Sequence, residues 1–320
     1  MNEIPARPNL PRLLKRSLVL VGLMLVPVLL AAVLFSQQAV LGVGIGLALM
    51  TSVVRALAPR ERWFAAGAGA AVAAAGSYLG PESWWLLLAV VVVCLVQGWF
   101  ARHSVQAVAI LPAMLMLSAQ NSDHSQWLTV GLATLAGSAY LLVLAQLMGL
   151  AGKPKPIAPR LALAHSALLG IGCLALVLLS RYFEIHRANW ALLAFCIMFT
   201  PDLLLRKNNK AVLGYLAAVT GGAVLAALVG VISSPVLTLA VLACGAVATV
   251  AGSLAGQPAI GVSSVTLTVI LLSSITSDES IGYLSVQRAG LAFLSLIVAG
   301  LMVLVGRLVQ RKLIQRHHLE

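Results

Sequence analysis

The sequence predicts an all-α polytopic membrane protein, with about twelve transmembrane helices arranged as two parallel six-helix repeats. Three observations predict this fold class: a scarcity of charged residues, a regular series of apolar segments, and a one-sided distribution of basic residues. Of the 320 residues, 61% are hydrophobic and 9% are charged, whereas a soluble domain carries roughly 25% charged residues. The chain therefore has too few polar side chains to cover a water-soluble surface. Its bulk of Leu, Ala, Val and Gly is typical of packed helices rather than of barrel strands.

The count of twelve comes from the apolar segments, because crossing the hydrocarbon core takes about 20 mostly apolar residues. Six segments lie within residues 1–150, the first predicted repeat, and six lie within residues 151–320, the second. A proline-rich connector, Gly152 to Pro159, separates them. The predicted spans are 12–34, 37–57, 62–80, 83–100, 104–119, 127–149, 161–181, 189–205, 210–232, 235–255, 258–276 and 283–308.

The basic residues support both the count and an orientation. With both termini cytoplasmic, 18 of the 21 Lys and Arg residues fall on the cytoplasmic side, and the opposite side keeps Arg181, Arg187 and Arg288. Positive charge is retained on the cytoplasmic side during insertion. The net charge of +12 is therefore mainly a signal of topology, and we expect no nucleic-acid partner. The lipid bilayer is the expected surrounding.

The two repeats are predicted from matching openings and matching third spans. Pro11-Arg12-Leu13 opens the first half and Pro159-Arg160-Leu161 opens the second. The third span of each half is rich in small residues, with Gly67, Gly69 and Gly76 in one and Gly214, Gly221 and Gly222 in the other. Because six spans is an even number, both halves insert in the same orientation, related by an axis along the membrane normal.

Several classes of chemistry have no signature in the sequence. There is no Walker A sequence and no metal-ligand spacing of His, Cys and acidic residues, so we expect neither an enzyme nor a bound cofactor or metal. The four cysteines lie in apolar runs and are expected to be small core residues. The Gly42-x-Gly44-x-Gly46 motif lacks the strand–turn–helix context of a dinucleotide site, and it predicts tight helix packing instead.

The eighth predicted span ends in a helix break, Thr200-Pro201-Asp202. Proline removes a backbone donor and clashes with the preceding turn, so carbonyl groups one turn earlier lose their partners. Together with the hydroxyl of Thr200 and the carboxylate of Asp202, these carbonyls could bind a cation, a proton or the polar end of a substrate. The competing interpretation is a simple kink in which Asp202 pairs with Arg206, four residues later.

Further candidates flank this break. Arg206, Lys207 and Lys210 could attract an anionic substrate, although they also fit a positive-inside loop. Asn189 and Trp190 open the same span. A tryptophan at a span end usually belongs to the interfacial aromatic belt, and stacking on a substrate is the alternative.

The eleventh span carries a polar face that could line a wet pathway or could serve ordinary helix–helix hydrogen bonding. Its hydroxyl residues are Ser263, Thr266, Ser273 and Ser277, extended by Ser264 and Thr268. Arg288, near the outer end of the twelfth span, has two interpretations as well. An ionisable group at membrane depth is a functional candidate by default, whereas at shallow depth it could form an interfacial ion pair with Asp278 or Glu279.

The stretch 189–222 resembles the fusaric acid resistance family, which includes bacterial aromatic acid exporters. A tryptophan opens a span, a proline breaks it, and a basic turn leads into a glycine-rich span; the matching residues are Trp190, Pro201, Arg206, Lys210, Gly214, Gly221 and Gly222. Lys210 stands where the family has an arginine. The resemblance implies an oligomeric inner-membrane efflux protein for small, often aromatic, organic anions.

The leading hypothesis is a secondary transporter that moves a small organic anion outward between the two halves. Asp202 would couple or gate transport, Arg206 and Lys210 would attract substrate, and the hydroxyl residues of the eleventh span would line the path. The alternatives are a non-transporting membrane scaffold or anchor subunit, and a passive anion channel. A homo-oligomer and a periplasmic partner that completes the route are further expectations.

Overall fold

The computed structural model describes residues 10–104, 110–149, 154–185, 187–199, 209–232, 234–255, 257–276 and 279–317, and these residues form helices joined by short connections. Twelve helices lie in the described ranges, and each overlaps one predicted span. They are α1 (Leu10–Leu34), α2 (Gln37–Ala56), α3 (Pro59–Leu79), α4 (Trp85–His103), α5 (Leu111–Gln120), α6 (Trp127–Leu147), α7 (Pro159–Tyr182), α8 (Ala188–Met198), α9 (Asn209–Ile232), α10 (Pro235–Leu254), α11 (Pro258–Thr276) and α12 (Ile281–His317).

Two helices are much shorter than predicted, and α12 is longer, since it ends at His317 rather than at residue 308. Helix α5 begins at Leu111 rather than at residue 104, and Pro112 lies in its first turn, where a missing backbone donor costs nothing. Helix α8 ends at Met198 rather than at residue 205. At about 1.5 Å per residue these helices are roughly 15 Å long, about half the thickness of the hydrocarbon core.

Seven helices in the described part are long and apolar enough to cross a membrane. These candidate spans are Leu13–Leu34, Trp85–His103, Trp127–Leu147, Pro159–Tyr182, Val212–Ile232, Pro235–Gly252 and Ile281–Leu308. The protein is thus a helical, multi-pass membrane protein.

The chain forms two compact units that do not follow a single cut in the sequence. The first unit comprises residues 1–26 and 210–293, and the second comprises residues 27–209 and 294–320. Helices α10 and α11, and all of α9 except Asn209, belong to the first unit, and α2 to α8 belong to the second. Helices α1 and α12 contribute residues to both.

Glycines bring helix backbones into contact in the second unit. A Cβ atom on Gly46 would collide with the carbonyl of Thr134 on α6, and one on Gly42 would lie 2.6 Å from the carbonyl of Val130. Nothing lies within 4 Å of the corresponding position on Gly44. The prediction of tight packing is therefore confirmed for two of the three glycines, because Gly44 points away from α6.

The cysteines are free thiols, and most are core residues. Cys94, Cys173 and Cys196 are buried, with 3.9 Å between the Sγ atoms of Cys173 and Cys196. The prediction was wrong for Cys244 of α10, whose side chain is exposed. Its helix is poorly covered by its neighbours, since only 22% of the residues in its apolar window are buried.

Candidate functional site

Part of the sequence-predicted site cannot be placed. Thr200, Pro201, Asp202 and Arg206 lie outside the described residues. Lys210 lies in the first turn of α9, but its side chain is not described. The site that can be built is in the first unit, on α9 to α12.

Helix α9 buries one face at helical spacing. Tyr215, Val219, Gly222 and Ala226 follow one another at intervals of three or four residues, and all are buried. A Cβ atom on Gly222 would collide with the backbone carbonyl of Ser263 on α11, so the two backbones touch at this glycine.

The predicted hydroxyl face of α11 meets α9 at this crossing. Beyond its collision with Ser263, a Cβ atom on Gly222 would lie 2.9 Å from Cβ of Thr266, and one on Gly221 would lie 3.8 Å from Oγ of Ser263. Ser263 and Ser273 are half-buried, and Thr266 is 1% exposed. The structure thus brings together two features that the sequence predicted separately, the glycine pair and the hydroxyl face.

Two threonine hydroxyls of α11 are buried without a hydrogen-bond partner among the described residues, namely Oγ1 of Thr266 and Oγ1 of Thr268. Thr268 faces the other neighbour of α11, because a Cβ atom on Gly245 of α10 would lie 2.6 Å from its Oγ1. A buried hydroxyl without a partner costs about 1–3 kcal/mol. These two groups are therefore available to a ligand or to water, at a cost to stability.

An open pocket of about 510 Å³ lies at one end of the same helices. It is formed where α9 and α11 end and where α10 and α12 begin. Its polar lining residues are Ser234, Thr238, Ser274, Glu279 and Ser280. Sequence reasoning did not select these residues as a site, because they lie on four different segments. Ser234 and Ser280, which precede α10 and α12, carry only a helix-capping signal in the sequence.

The pocket hydroxyls are held by local hydrogen bonds. Oγ of Ser234 accepts a hydrogen bond from the backbone N–H of Leu237 (3.4 Å), and Oγ of Ser280 accepts one from that of Tyr283 (3.3 Å), so both serines cap the helices that follow. Oγ of Ser274 donates to the carbonyl of Leu271, at 2.8 Å. Local hydrogen bonds at the helix ends therefore hold these lining hydroxyls in place.

The hydroxyl face of α11 leads from this pocket into the packed interior. Thr266 lies eight residues before Ser274, which corresponds to about 12 Å along the helix. Ile270 lies between them on the same face and is fully buried. The polar face is therefore closed between the pocket and Thr266 in this conformation.

Arg288 is almost fully buried. It is seven residues into α12, about 10 Å from the start of the helix, and it is 2% exposed. It shares the buried face of α12 with Leu284 and Leu291. The side chain is therefore covered by its own unit, and both interpretations of Arg288, a functional group and an interfacial ion pair, stay predictions.

Trp190 and Asn189 lie in the second unit, and Trp190 is not part of an aromatic belt. It is 4% exposed, and the guanidinium of Arg187 lies 5.0 Å from its ring centroid. Trp84 and Trp85, in contrast, are 75% and 69% exposed, as belt residues should be. Asn189 is half-buried at the start of α8. Stacking of Trp190 on a substrate stays a prediction.

His165 supports the same helix from α7. Its Nε2 is 2.9 Å from the carbonyl of Phe199, directly after α8, and the two rings are stacked with their centroids 5.3 Å apart. Phe199 in turn stacks on Phe195 at the same separation. His165 is therefore a packed residue that caps the carboxyl end of α8. No group of three or more His, Cys, Asp or Glu residues in the described ranges is arranged to hold a metal ion.

One of the comparisons with known proteins finds a match. Residues 171–303 match a family model described as fusaric acid resistance protein-like. No curated protein and no solved structure matches the chain. The matched region includes α8 to α11 and most of α12, and thus the open pocket, the contact between Gly222 and Thr266, and Arg288. Residues 171–303 are therefore similar to fusaric acid resistance proteins, in agreement with the resemblance seen in the shorter stretch 189–222.

Proposed function

We propose that the protein is a secondary transporter that exports small organic anions, aromatic ones among them, across the bacterial inner membrane. The observation that carries this proposal is the polar face of α11. It extends from an open pocket to a hydroxyl group, on Thr266, that is buried without a partner, and it lies within the family-like region. Polar groups inside a membrane protein are costly and usually mark a substrate pathway.

The residues of the first unit have complementary roles in this proposal. The hydroxyl of Thr266 donates a hydrogen bond to the carboxylate of the substrate, and Arg288 supplies the opposite charge. Ile270 closes the path between Thr266 and the pocket in the present conformation. Close packing at Gly222 leaves no side chain between α9 and α11, so a small shift of either helix changes the width of the path.

The coupling machinery is proposed at the break after α8. Asp202 takes up the coupling proton, Thr200 and Pro201 shape its surroundings, and Arg206 and Lys210 concentrate the anion at the cytoplasmic entrance. The wider arrangement belongs to the same proposal: twelve spans in two parallel repeats, both termini in the cytoplasm, and a homo-oligomer that a periplasmic partner completes.

Uptake of radiolabelled benzoate into inside-out vesicles tests this proposal. With an acidic lumen, vesicles that contain the wild-type protein should accumulate benzoate above vesicles without it. Asp202→Asn should remove the dependence on the pH gradient, and Thr266→Val should slow uptake, at equal amounts of protein in the membrane. Uptake in Asp202→Asn that equals wild-type uptake under the same pH gradient would remove Asp202 from the mechanism.

The same assay separates the two other classes of function. Flux that follows the benzoate gradient alone, with or without a pH gradient, would indicate a passive anion channel. No flux above the empty vesicles, for benzoate and for a panel of other small organic anions, would favour a scaffold or anchor subunit.

A further inference from the structure

The open pocket of the first unit has an unusual charge for a protein that handles anions. Glu279 is the one ionisable side chain among its described lining residues. From residue 211 to residue 287 the sequence contains no Lys, Arg or His, and the adjoining positions 233, 277 and 278 are Ser, Ser and Asp. The next basic residue, Arg288, lies on the buried face of α12 and does not line the pocket. The formal charge at the pocket is therefore negative.

The helix ends around the pocket do not reverse this charge. Helices α10 and α12 begin there, and a helix amino terminus attracts anions. Helices α9 and α11 end there, and a helix carboxyl terminus attracts cations. Two ends of each kind largely cancel, so the carboxylate of Glu279 determines the sign of the field.

The hydrogen bonds of two lining hydroxyls favour a ligand that donates. Oγ1 of Thr238 donates its proton to the carbonyl of Ser234 (3.0 Å), and Oγ of Ser274 donates its proton to the carbonyl of Leu271 (2.8 Å). Because each hydroxyl has a single proton, both oxygens offer lone pairs to a ligand while these bonds are kept. In this arrangement they suit an ammonium group better than a carboxylate.

The size and walls of the pocket exclude a bare ion as its natural occupant. A volume of about 510 Å³ falls within the range of small-molecule sites, roughly 300–1,000 Å³. Leu239, Ile275 and Ile281 form apolar walls beside the polar groups. An inorganic cation would leave these walls uncovered, whereas a ligand with an apolar body would cover them.

We propose that this pocket binds a small organic ammonium ion, a protonated amine with a compact apolar body. The ammonium group pairs with the carboxylate of Glu279 and donates to Oγ1 of Thr238 and Oγ of Ser274. The apolar body lies against Leu239, Ile275 and Ile281. The inference goes beyond the proposed function, because it gives the pocket a ligand of opposite charge to the exported anion.

Binding to the purified full-length protein in lipid nanodiscs tests the assignment. Isothermal titration calorimetry at neutral pH and constant ionic strength would compare 2-phenylethylammonium with 3-phenylpropionate, an anion of similar size and shape. The ammonium ion should bind saturably and more tightly than the anion. Glu279→Gln should weaken ammonium binding by about tenfold or more, because it removes the charge and keeps the shape. Glu184→Gln, an exposed acidic residue of the second unit, should leave binding unchanged.

A second variant protects the test from a folding defect. Ile275→Trp fills the pocket and keeps Glu279, so it should also abolish ammonium binding, with a melting temperature close to that of the wild type. Ammonium affinity equal to that of the wild type in both Glu279→Gln and Ile275→Trp would overturn the proposal. Tighter binding of phenylpropionate than of the ammonium ion would overturn it as well. Displacement of the ammonium ion by sodium at comparable concentration would also overturn it, in favour of an inorganic ion.

The outcomes are independent of benzoate transport. Benzoate transport without ammonium binding would overturn this inference alone. Ammonium binding without transport of any organic anion would overturn the proposed function alone.

Discussion

The two compact units use the same materials, close glycine contacts and buried hydroxyl groups, but they satisfy the hydroxyls differently. In the second unit, Oγ of Ser166 donates to the carbonyl of Cys94 (2.7 Å), and Oγ of Ser295 donates to that of Ala191 (2.7 Å). Each of these bonds joins two helices. In the first unit, Oγ1 of Thr266 and Oγ1 of Thr268 are buried without a partner among the described residues.

This difference distinguishes hydroxyls that hold helices together from hydroxyls that a ligand or water could use. A hydrogen bond between helices stabilises their packing, whereas a buried hydroxyl without a partner destabilises it. Such groups persist where a ligand or water uses them. Among the described hydroxyl groups of the second unit, Oγ of Ser118 is an exception, and several other polar side-chain atoms there are also buried without a partner. The open pocket lies beside α11, in the first unit. The comparison therefore supports placing the proposed transport path in the first unit.

The largest expected effect is on folding, at the closest contact of the second unit. Gly46→Leu forces a side chain into the backbone of α6, which neither helix can relieve by a rotamer change. We expect almost no monodisperse protein in size-exclusion chromatography. Gly44→Leu, on the uncovered face of the same helix, should behave like the wild type. Normal folding of Gly46→Leu would show that the contact between α2 and α6 is not a scaffold element.

The second prediction compares buried Arg288 of the first unit with half-buried Arg181 of the second. Arg288→Gln should reduce anion uptake by about tenfold or more, because a carboxylate would lose its charged partner. Arg181 of the second unit donates from Nη2 to the carbonyls of Pro81 and Ser83, at 2.8 and 2.7 Å. Arg181→Gln should therefore lower the melting temperature and leave the uptake rate per folded molecule unchanged. Vesicle uptake and thermal unfolding of both variants check the pair, and a reversed pattern would reverse the assignment of the units.

A smaller effect is expected for two threonines with equal burial. Oγ1 of Thr134 donates to the carbonyl of Val130 at 2.8 Å, whereas Oγ1 of Thr266 has no partner in the described part of the chain. Thr134→Val should cost about 0.5–1.5 kcal/mol of unfolding free energy, and Thr266→Val should be neutral or stabilising. Thermal unfolding in detergent distinguishes them. A loss of stability in Thr266→Val would mean that its hydroxyl is structural.

The smallest effect concerns the loop before α6. Asp123 accepts hydrogen bonds at Oδ1 from both the side chain and the backbone of Ser125, and at Oδ2 from Gln126. The side-chain bond of Ser125 is the main cause that lowers the pKa of Asp123. A lowered pKa means that the stabilisation is present above the unfolded-state value, about 3.9, and is lost as the pH falls through the folded-state value.

This pH dependence can be measured against Asp123→Asn. The wild type should melt slightly higher than the variant at neutral pH, and the difference should shrink as the pH falls below about 4. A difference that is constant over the whole range would exclude Asp123 as the titrating group.

Local sequence patterns predicted well where the helices lie, but they predicted poorly which side chains other residues cover. Trp190 and Trp84 both stand at a span start, yet Trp190 is buried and Trp84 is 75% exposed. The identity and position of a tryptophan cannot distinguish a lipid-facing ring from a ring covered by Arg187. Arg288 is a second example, because its position near a helix end does not show that the side chain is covered, whereas the structure leaves it 2% exposed.

Hydropathy and charge by themselves predicted the twelve helices of the described ranges and the multi-pass membrane class, because apolar length and turn chemistry act locally along the chain. The family resemblance came from the motif in residues 189–222. Tertiary structure alone decided which helix faces meet: Gly222 with Thr266, and Gly46 with Thr134. It also decided that four helix ends enclose a pocket around Glu279. Helices in a membrane associate by close packing rather than by hydrophobic burial, so an apolar sequence carries little information about which of its faces is covered.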